Sequence, residues 1–205
     1  MKVIGITGGV GCGKTSILTY IKEHCACRII YSDELAKQMH VRGGVLYEPL
    51  IDLLGTKILR EDLEIDRAKM AAKIFADPDL LAKVNALVHP AVTREILAQI
   101  AQAEKRGEID FFFVEAALLI ENGFDKICDE LWYIYANESV RRKRLKESRG
   151  YSDQKIDEIL RGQLSEQEFR EVCDEVIDNS NSPEESFRQV DRLLAKKRPD
   201  QAPGI

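Results

Sequence analysis

Residues 8–15 read GGVGCGKT: Gly8-Gly9-Val10-Gly11-Cys12-Gly13-Lys14-Thr15. They fill every fixed position of the pattern G-x-x-x-x-G-K-[ST]. Phosphate oxygens crowd together, so backbone N–H groups must converge on them, and side chains at the turn would block that approach. Glycine leaves the backbone bare and supplies left-handed angles. Before the loop, Val3 to Thr7 is a short apolar run of the kind that forms a buried parallel strand. After it, Ile17, Leu18 and Ile21 share one face of a helix expected from Lys14 to His24. That helix would add its partly positive N-terminus to the cradle. Strand, glycine loop and helix in this order predict a holder of nucleoside triphosphate phosphates. Gly9, Gly11, Cys12, Gly13, Lys14, Thr15 and Ser16 are its candidate contacts. Lys14 would reach the outer phosphates and the Thr15 hydroxyl would ligate Mg²⁺. Cys12 stands at a variable position, and its thiol is assigned no chemistry.

The rest of the chain alternates strands with helices. Arg28 to Tyr31 reads as a second strand ending at Ser32-Asp33, either of which would cap the next helix. Residues 41–107 are mostly helical, with signals over Asp66–Phe75 and Pro78–Ala103. His89-Pro90 should break or kink the second of these, because a mid-helix proline removes a donor and clashes with the preceding turn. Asp110–Glu115 and Leu131–Ala136 are further strands; a very basic helix, VRRKRLKESR, follows. Glu175–Asn179 is a last strand, Pro183 opens a terminal helix, and the tail beyond Ala195 should fray. The expectation is an α/β, three-layer P-loop NTPase fold with a five-stranded parallel sheet. Its core spans about 1–34, 108–136 and 166–195, with a helical insertion at about 35–107 and a lid at about 137–165.

Composition narrows the partners. The chain has 205 residues, 44% hydrophobic and 32% charged, which suits one domain with a core of its own. A net charge of −5 argues against nucleic acid and anionic membranes, so an anionic ligand must be held by a local site. No apolar run approaches the roughly 20 residues needed to cross a bilayer, and no secretory leader is evident. Five scattered cysteines fit neither a disulfide framework nor a zinc site. A cytoplasmic protein with reduced thiols is expected; oligomeric state is open, and a monomer is compatible.

A phosphate loop alone does not separate a kinase from a switch or a motor. No N-K-x-D element for guanine is present, and the strand Phe111–Val114 ends in the single acid Glu115. Glu115 fits an acid near Mg²⁺, though strands often end this way. Asp33 follows the second strand, on the same sheet edge as the loop, where a carboxylate would orient an attacking hydroxyl. On capping alone, Asp33 is better read as the cap of the helix starting at Glu34. In the basic helix, Arg142, Lys146 and Arg149 share a face, with Arg141 and Arg144 to one side. Arginines brought over ATP by a lid would neutralise developing charge and exclude water. A solvated surface is the simpler reading for Lys143 and Lys146.

Taken together these segments resemble the dephospho-CoA kinase family. The opening ITGGVGCGKT, then YSDELAKQ with Asp33, resembles the family's first two motifs. Gly55, Asp66, Arg67 and Phe75 match its next segment, and NALVHPAV matches its asparagine-to-His-Pro element at Asn85, His89 and Pro90. ALLIENG is similar to P-L-L-x-E, retaining Leu118, Leu119 and Glu121; VIDNSNS is similar to its late I-D-N segment. Glu115 stands where the family usually has aspartate, Ala117 where it has proline, and Ile159 where an arginine is expected. The resemblance implies ATP and Mg²⁺ as cofactors and phosphoryl transfer to the ribose 3′-hydroxyl of dephospho-CoA. It implies catalytic roles for Asp33, Lys14, Arg144 and Arg149, and places Asn179 near the adenine. Asp33, His89, Leu118 and Glu121 would line the acceptor, with Thr15 and Glu115 toward the metal. A kinase for another hydroxylated metabolite, or an ATP-binding switch, are the rival readings.

Overall fold

A computed structural model describes residues 1–116, 118–120 and 123–198. The elements run β1 (Lys2–Thr7), α1 (Lys14–His24), β2 (Cys27–Tyr31), α2 (Ser32–Met39), α3 (Tyr47–Leu54), α4 (Arg67–Phe75) and α5 (Pro78–Arg106). Then come β3 (Phe111–Glu115), β4 (Glu130–Tyr135), α6 (Glu138–Arg149), α7 (Asp153–Arg161), α8 (Glu166–Val172), β5 (Glu175–Asp178) and α9 (Pro183–Lys197). The chain divides into two compact units, residues 1–30 with 100–205, and residues 31–99.

The first unit is built on a five-stranded parallel sheet in the order β2-β3-β1-β4-β5. Its central strand reads as a continuous apolar run because both faces are covered: Val3, Ile4 and Ile6 are buried. Phe111, Phe112, Phe113 and Trp132 fill the core beside it, and Trp132 meets Phe113 edge-on at 5.8 Å. On the flanks α1 buries Ile17, Leu18 and Ile21, and α9 buries Val190 and Leu194. Tyr20 stacks on Phe187 at 4.0 Å and donates its hydroxyl to Asp191 at 2.9 Å, joining α1 to α9.

In the second unit, Leu50, Leu54 and Ile58 form an apolar centre. Asp66 caps α4, accepting from the backbone N–H groups of Ala68 and Lys69 at 2.9 and 3.1 Å. One expectation narrows and another is corrected. Helix α5 is continuous through Pro90, which removes the break from the expected break or kink. A long helix tolerates one missing donor when its apolar face is buried, and Val84, Val92 and Ile96 are. Helix α2 begins at Ser32 with Tyr31 in the cap position and no side-chain cap bond. Ser32 and Asp33 therefore occupy its first turn; Ser32 is buried and Asp33 exposed. An acid there still complements the helix dipole. At the far end α9 continues to Lys197, two residues past the predicted fraying point; residues 199–205 lie outside those described.

Candidate active site

The loop follows the C-terminal end of β1, the middle strand, whose neighbours β3 and β4 lie on either side. In open parallel sheets the ligand crevice forms at this edge, where the strand order switches direction. Two glycines show what the loop demands. At Gly8 an added Cβ would fall 2.4 Å from the Ile134 carbonyl oxygen, so β4 backbone leaves no room for a side chain. Gly13 caps α1 with φ 89°, in the left-handed region, and an added Cβ would meet the Asn179 amide at 2.3 Å. The ammonium of Lys14 donates to the Gly8 carbonyl at 2.7 Å and lies 3.8 Å from the Glu115 carboxylate. Thr15 and Ser16, the first residues after it, are exposed.

Partners far away in sequence hold this backbone. Arg141, on the first turn of α6, donates from Nε to the Val10 carbonyl at 2.9 Å and from a terminal nitrogen to Gln163 Oε1 at 2.8 Å. The same Gln163 oxygen accepts from Val10 N–H at 3.1 Å. Arg144 donates to the carbonyls of Cys12 at 3.2 Å and Asn179 at 2.9 Å. The Asn179 amide donates to Cys12 at 2.8 Å, and its oxygen accepts from the Ser186 hydroxyl at 2.9 Å. Cys12 is 1% exposed and burial pushes its thiol pKa up, which suits a space-filling residue.

The first unit thus brings together Gly9 to Ser16, Arg144 and Asn179, with Glu115 beside Lys14. Leu118 follows β3 and is half exposed, and Glu121 lies outside the described residues. Arg149, at the end of α6, rests over the Tyr151 ring at 5.8 Å. Asp33 and His89 belong to the second unit. The His89 carbonyl accepts from the Thr93 hydroxyl at 2.9 Å, and burial lowers the His89 pKa.

Arg141 and Gln163 were not among the expected site residues. A signal existed: Arg141 and Arg144 are three apart, so they share one face of a helix. The face spaced as Arg142 and Lys146 is instead an ion-paired surface. Arg142 meets Glu138 at 2.7 Å and Asp157 at 2.5 Å, and Lys146 meets Asp153 at 2.7 Å.

The chemistry of the donors suits Mg²⁺. Thr15 offers a hydroxyl and Glu115 a carboxylate, both hard oxygen donors. Among the described residues no group of three or more His, Cys, Asp or Glu gathers to cage a metal.

A glycine loop on the central strand of a parallel sheet, roofed by arginines from the helix after β4, defines the P-loop phosphotransferase class. The chain belongs to the dephospho-CoA kinase family, whose profile matches residues 2–185. The dephospho-CoA kinase of Streptococcus mutans is 35% identical over 195 residues, covering 95% of this chain and 97% of that protein. A Thermus thermophilus crystal structure superposes with TM-score 0.82 at 26% identity, covering 97% of this chain and 98% of that one. The Campylobacter jejuni dephospho-CoA kinase shares the fold with TM-score 0.71 at 21% identity, covering 95% and 97%.

Proposed function

We propose that the protein transfers the γ-phosphoryl group of ATP to the ribose 3′-hydroxyl of dephospho-CoA, giving CoA and ADP, the final step of coenzyme A synthesis. The observation carrying this reading is the intact phosphate loop, braced by Arg141, Arg144 and Asn179, in a chain matched by the family along nearly its whole length.

The roles follow from the chemistry. Phosphoryl transfer passes through a loose transition state, so positioning and charge neutralisation matter more than the strength of the base. Loop N–H groups from Gly9 to Ser16 cradle the phosphates, and the Lys14 ammonium moves from Gly8 to the outer phosphates. Asn179 sets the loop's position at the adenine end. Thr15 and Glu115 would hold Mg²⁺, which would supply positive charge to neutralise the phosphates. Asp33 orients the attacking hydroxyl and accepts its proton, while His89, Leu118 and Glu121 line the acceptor. Helices α6 and α7 act as the lid; Arg144 contributes charge from its place on the loop, and Arg149 arrives as the lid closes. Closure excludes water, which would otherwise take the phosphoryl group. The reaction runs in the cytoplasm.

Incubation with MgATP and dephospho-CoA should give ADP and a product heavier by one phosphoryl group, located on the 3′-oxygen by mass spectrometry. ADP with free phosphate alone would refute the acceptor assignment. Asp33→Asn should lower kcat by about 10²–10⁴-fold, the usual worth of a positioned general base, with ATP binding near that of the parent. Near-parental turnover would remove Asp33 from the mechanism.

A further inference from the structure

A cavity of about 550 Å³ lies within the unit spanning residues 31–99. Its wall carries Lys37, His40, Arg60, Glu64, Asp66 and Arg67. Most of these charges are already engaged. Asp66 accepts the two backbone N–H groups of the α4 cap, and Glu64 accepts Arg42 N–H at 3.2 Å. Arg60 pairs with Asp62 at 3.1 Å and Lys37 with Glu34 at 2.5 Å. Arg67 makes no hydrogen bond or ion pair among the described residues, although its charge is felt at His40. His40 Nε2 is buried without a hydrogen-bond partner. His40 itself is half-buried.

A guanidinium in the lining that pairs with no carboxylate suits a ligand rich in acceptor oxygens. A guanidinium fork matches phosphate oxygens bidentately. The volume exceeds a lone phosphate and falls in the range of small-molecule sites. We propose that this cavity binds the diphosphate group of the acceptor, with Arg67 as its main cation and the His40 ring in the wall beside it. The inference rests on the acceptor reading above, since dephospho-CoA carries such a group on its adenosine.

Two measurements test it. In steady-state kinetics, Arg67→Met should raise KM for dephospho-CoA by about tenfold to a hundredfold, the worth of charge-assisted hydrogen bonds, with KM for ATP little changed. With adenosine as acceptor, which lacks the diphosphate, the penalty should shrink severalfold; an equal penalty on both acceptors overturns the proposal. The second measurement does not need turnover. With the phosphate loop saturated by a non-hydrolysable ATP analogue, inorganic pyrophosphate should shift the His40 ring resonances in the parent, and Arg67→Met should weaken that response. An unmoved His40 overturns the diphosphate site even if the enzyme is active. A shifted His40 in a protein that phosphorylates no dephospho-CoA leaves the anion site standing and removes the acceptor reading.

Discussion

At the scale of single residues, Gly13 and Leu63 make a useful contrast. Both sit in the left-handed region, at φ 89° and 64°. At Gly13 the conformation and the closeness of the Asn179 amide both exclude a side chain. Gly13→Ala should therefore displace Asn179 and weaken ATP binding by at least tenfold, measured by calorimetry. Leu63 is 47% exposed in the turn after Arg60 and strains its backbone for little burial in return. The left-handed conformation costs an L-residue roughly 1–2 kcal/mol. Leu63→Gly should raise stability by about 0.5–1 kcal/mol in urea denaturation, the flexibility of glycine in the unfolded chain offsetting part of the relief. A destabilised Leu63→Gly variant would show that the side chain packs for more than its exposure suggests.

At the scale of elements, α6 carries two kinds of charge on two faces. Arg141 and Arg144 brace the loop; Arg142 and Lys146 tie α6 to α7 through Asp153 and Asp157. Surface pairs of the second kind contribute little, typically 0–1 kcal/mol. The first kind positions backbone that must not move. Arg144→Met should raise KM for ATP by about tenfold or more, in line with losing two donors from a charged group. Arg144→Lys should not restore it, because a single ammonium cannot span the Cys12 and Asn179 carbonyls as a guanidinium fork does. Full rescue by lysine would reduce the role of Arg144 to charge alone.

At the scale of the molecule, Glu130 gathers both ends of the first unit. Lys2, at the start of β1, reaches its carboxylate at 2.6 Å, and Lys197, in the last turn of α9, at 2.9 Å. Lys197 also meets Glu175 at 3.1 Å. Desolvation pushes the Glu130 carboxyl up, but hydrogen bonds from Lys2, Lys197 and Trp132 outweigh it and leave its pKa below the ordinary value. A carboxyl with a depressed folded pKa stabilises the protein above the unfolded value, near 4.3 for glutamate, and that contribution is lost as pH falls through the folded pKa. Glu175 is shifted the same way, with burial opposed by Lys196 and Lys197. Stability should decline on acidification below about pH 4.5. Glu130→Gln should lower Tm at pH 7 by a few degrees and flatten the decline, as read by thermal unfolding from pH 3 to 7. An unchanged pH profile would show that Glu130 holds no net linkage.

Much of the framework was legible because its instructions are local. GGVGCGKT states a backbone requirement within a few consecutive residues. The apolar strands announce a sheet covered on both faces, and Pro183 opens α9 where its missing N–H costs nothing. The site was legible in part. Gly8 to Thr15 was readable, whereas Arg141 and Gln163 reach Val10 from more than 130 residues away along the chain. The spacing of the basic helix allowed several faces, and packing against the loop selected one.

The sequence by itself determined the phosphate loop, the alternation of strands and helices around it and the family to which the chain belongs, because those depend on contiguous residue types and short-range periodicity. Only the tertiary structure decided which arginines face the loop, that Pro90 is carried inside a continuous helix, that Tyr31 rather than Ser32 or Asp33 precedes α2, and that His40 is turned inward. Each depends on which surfaces are buried together, and burial is a property of the folded chain that no local pattern records.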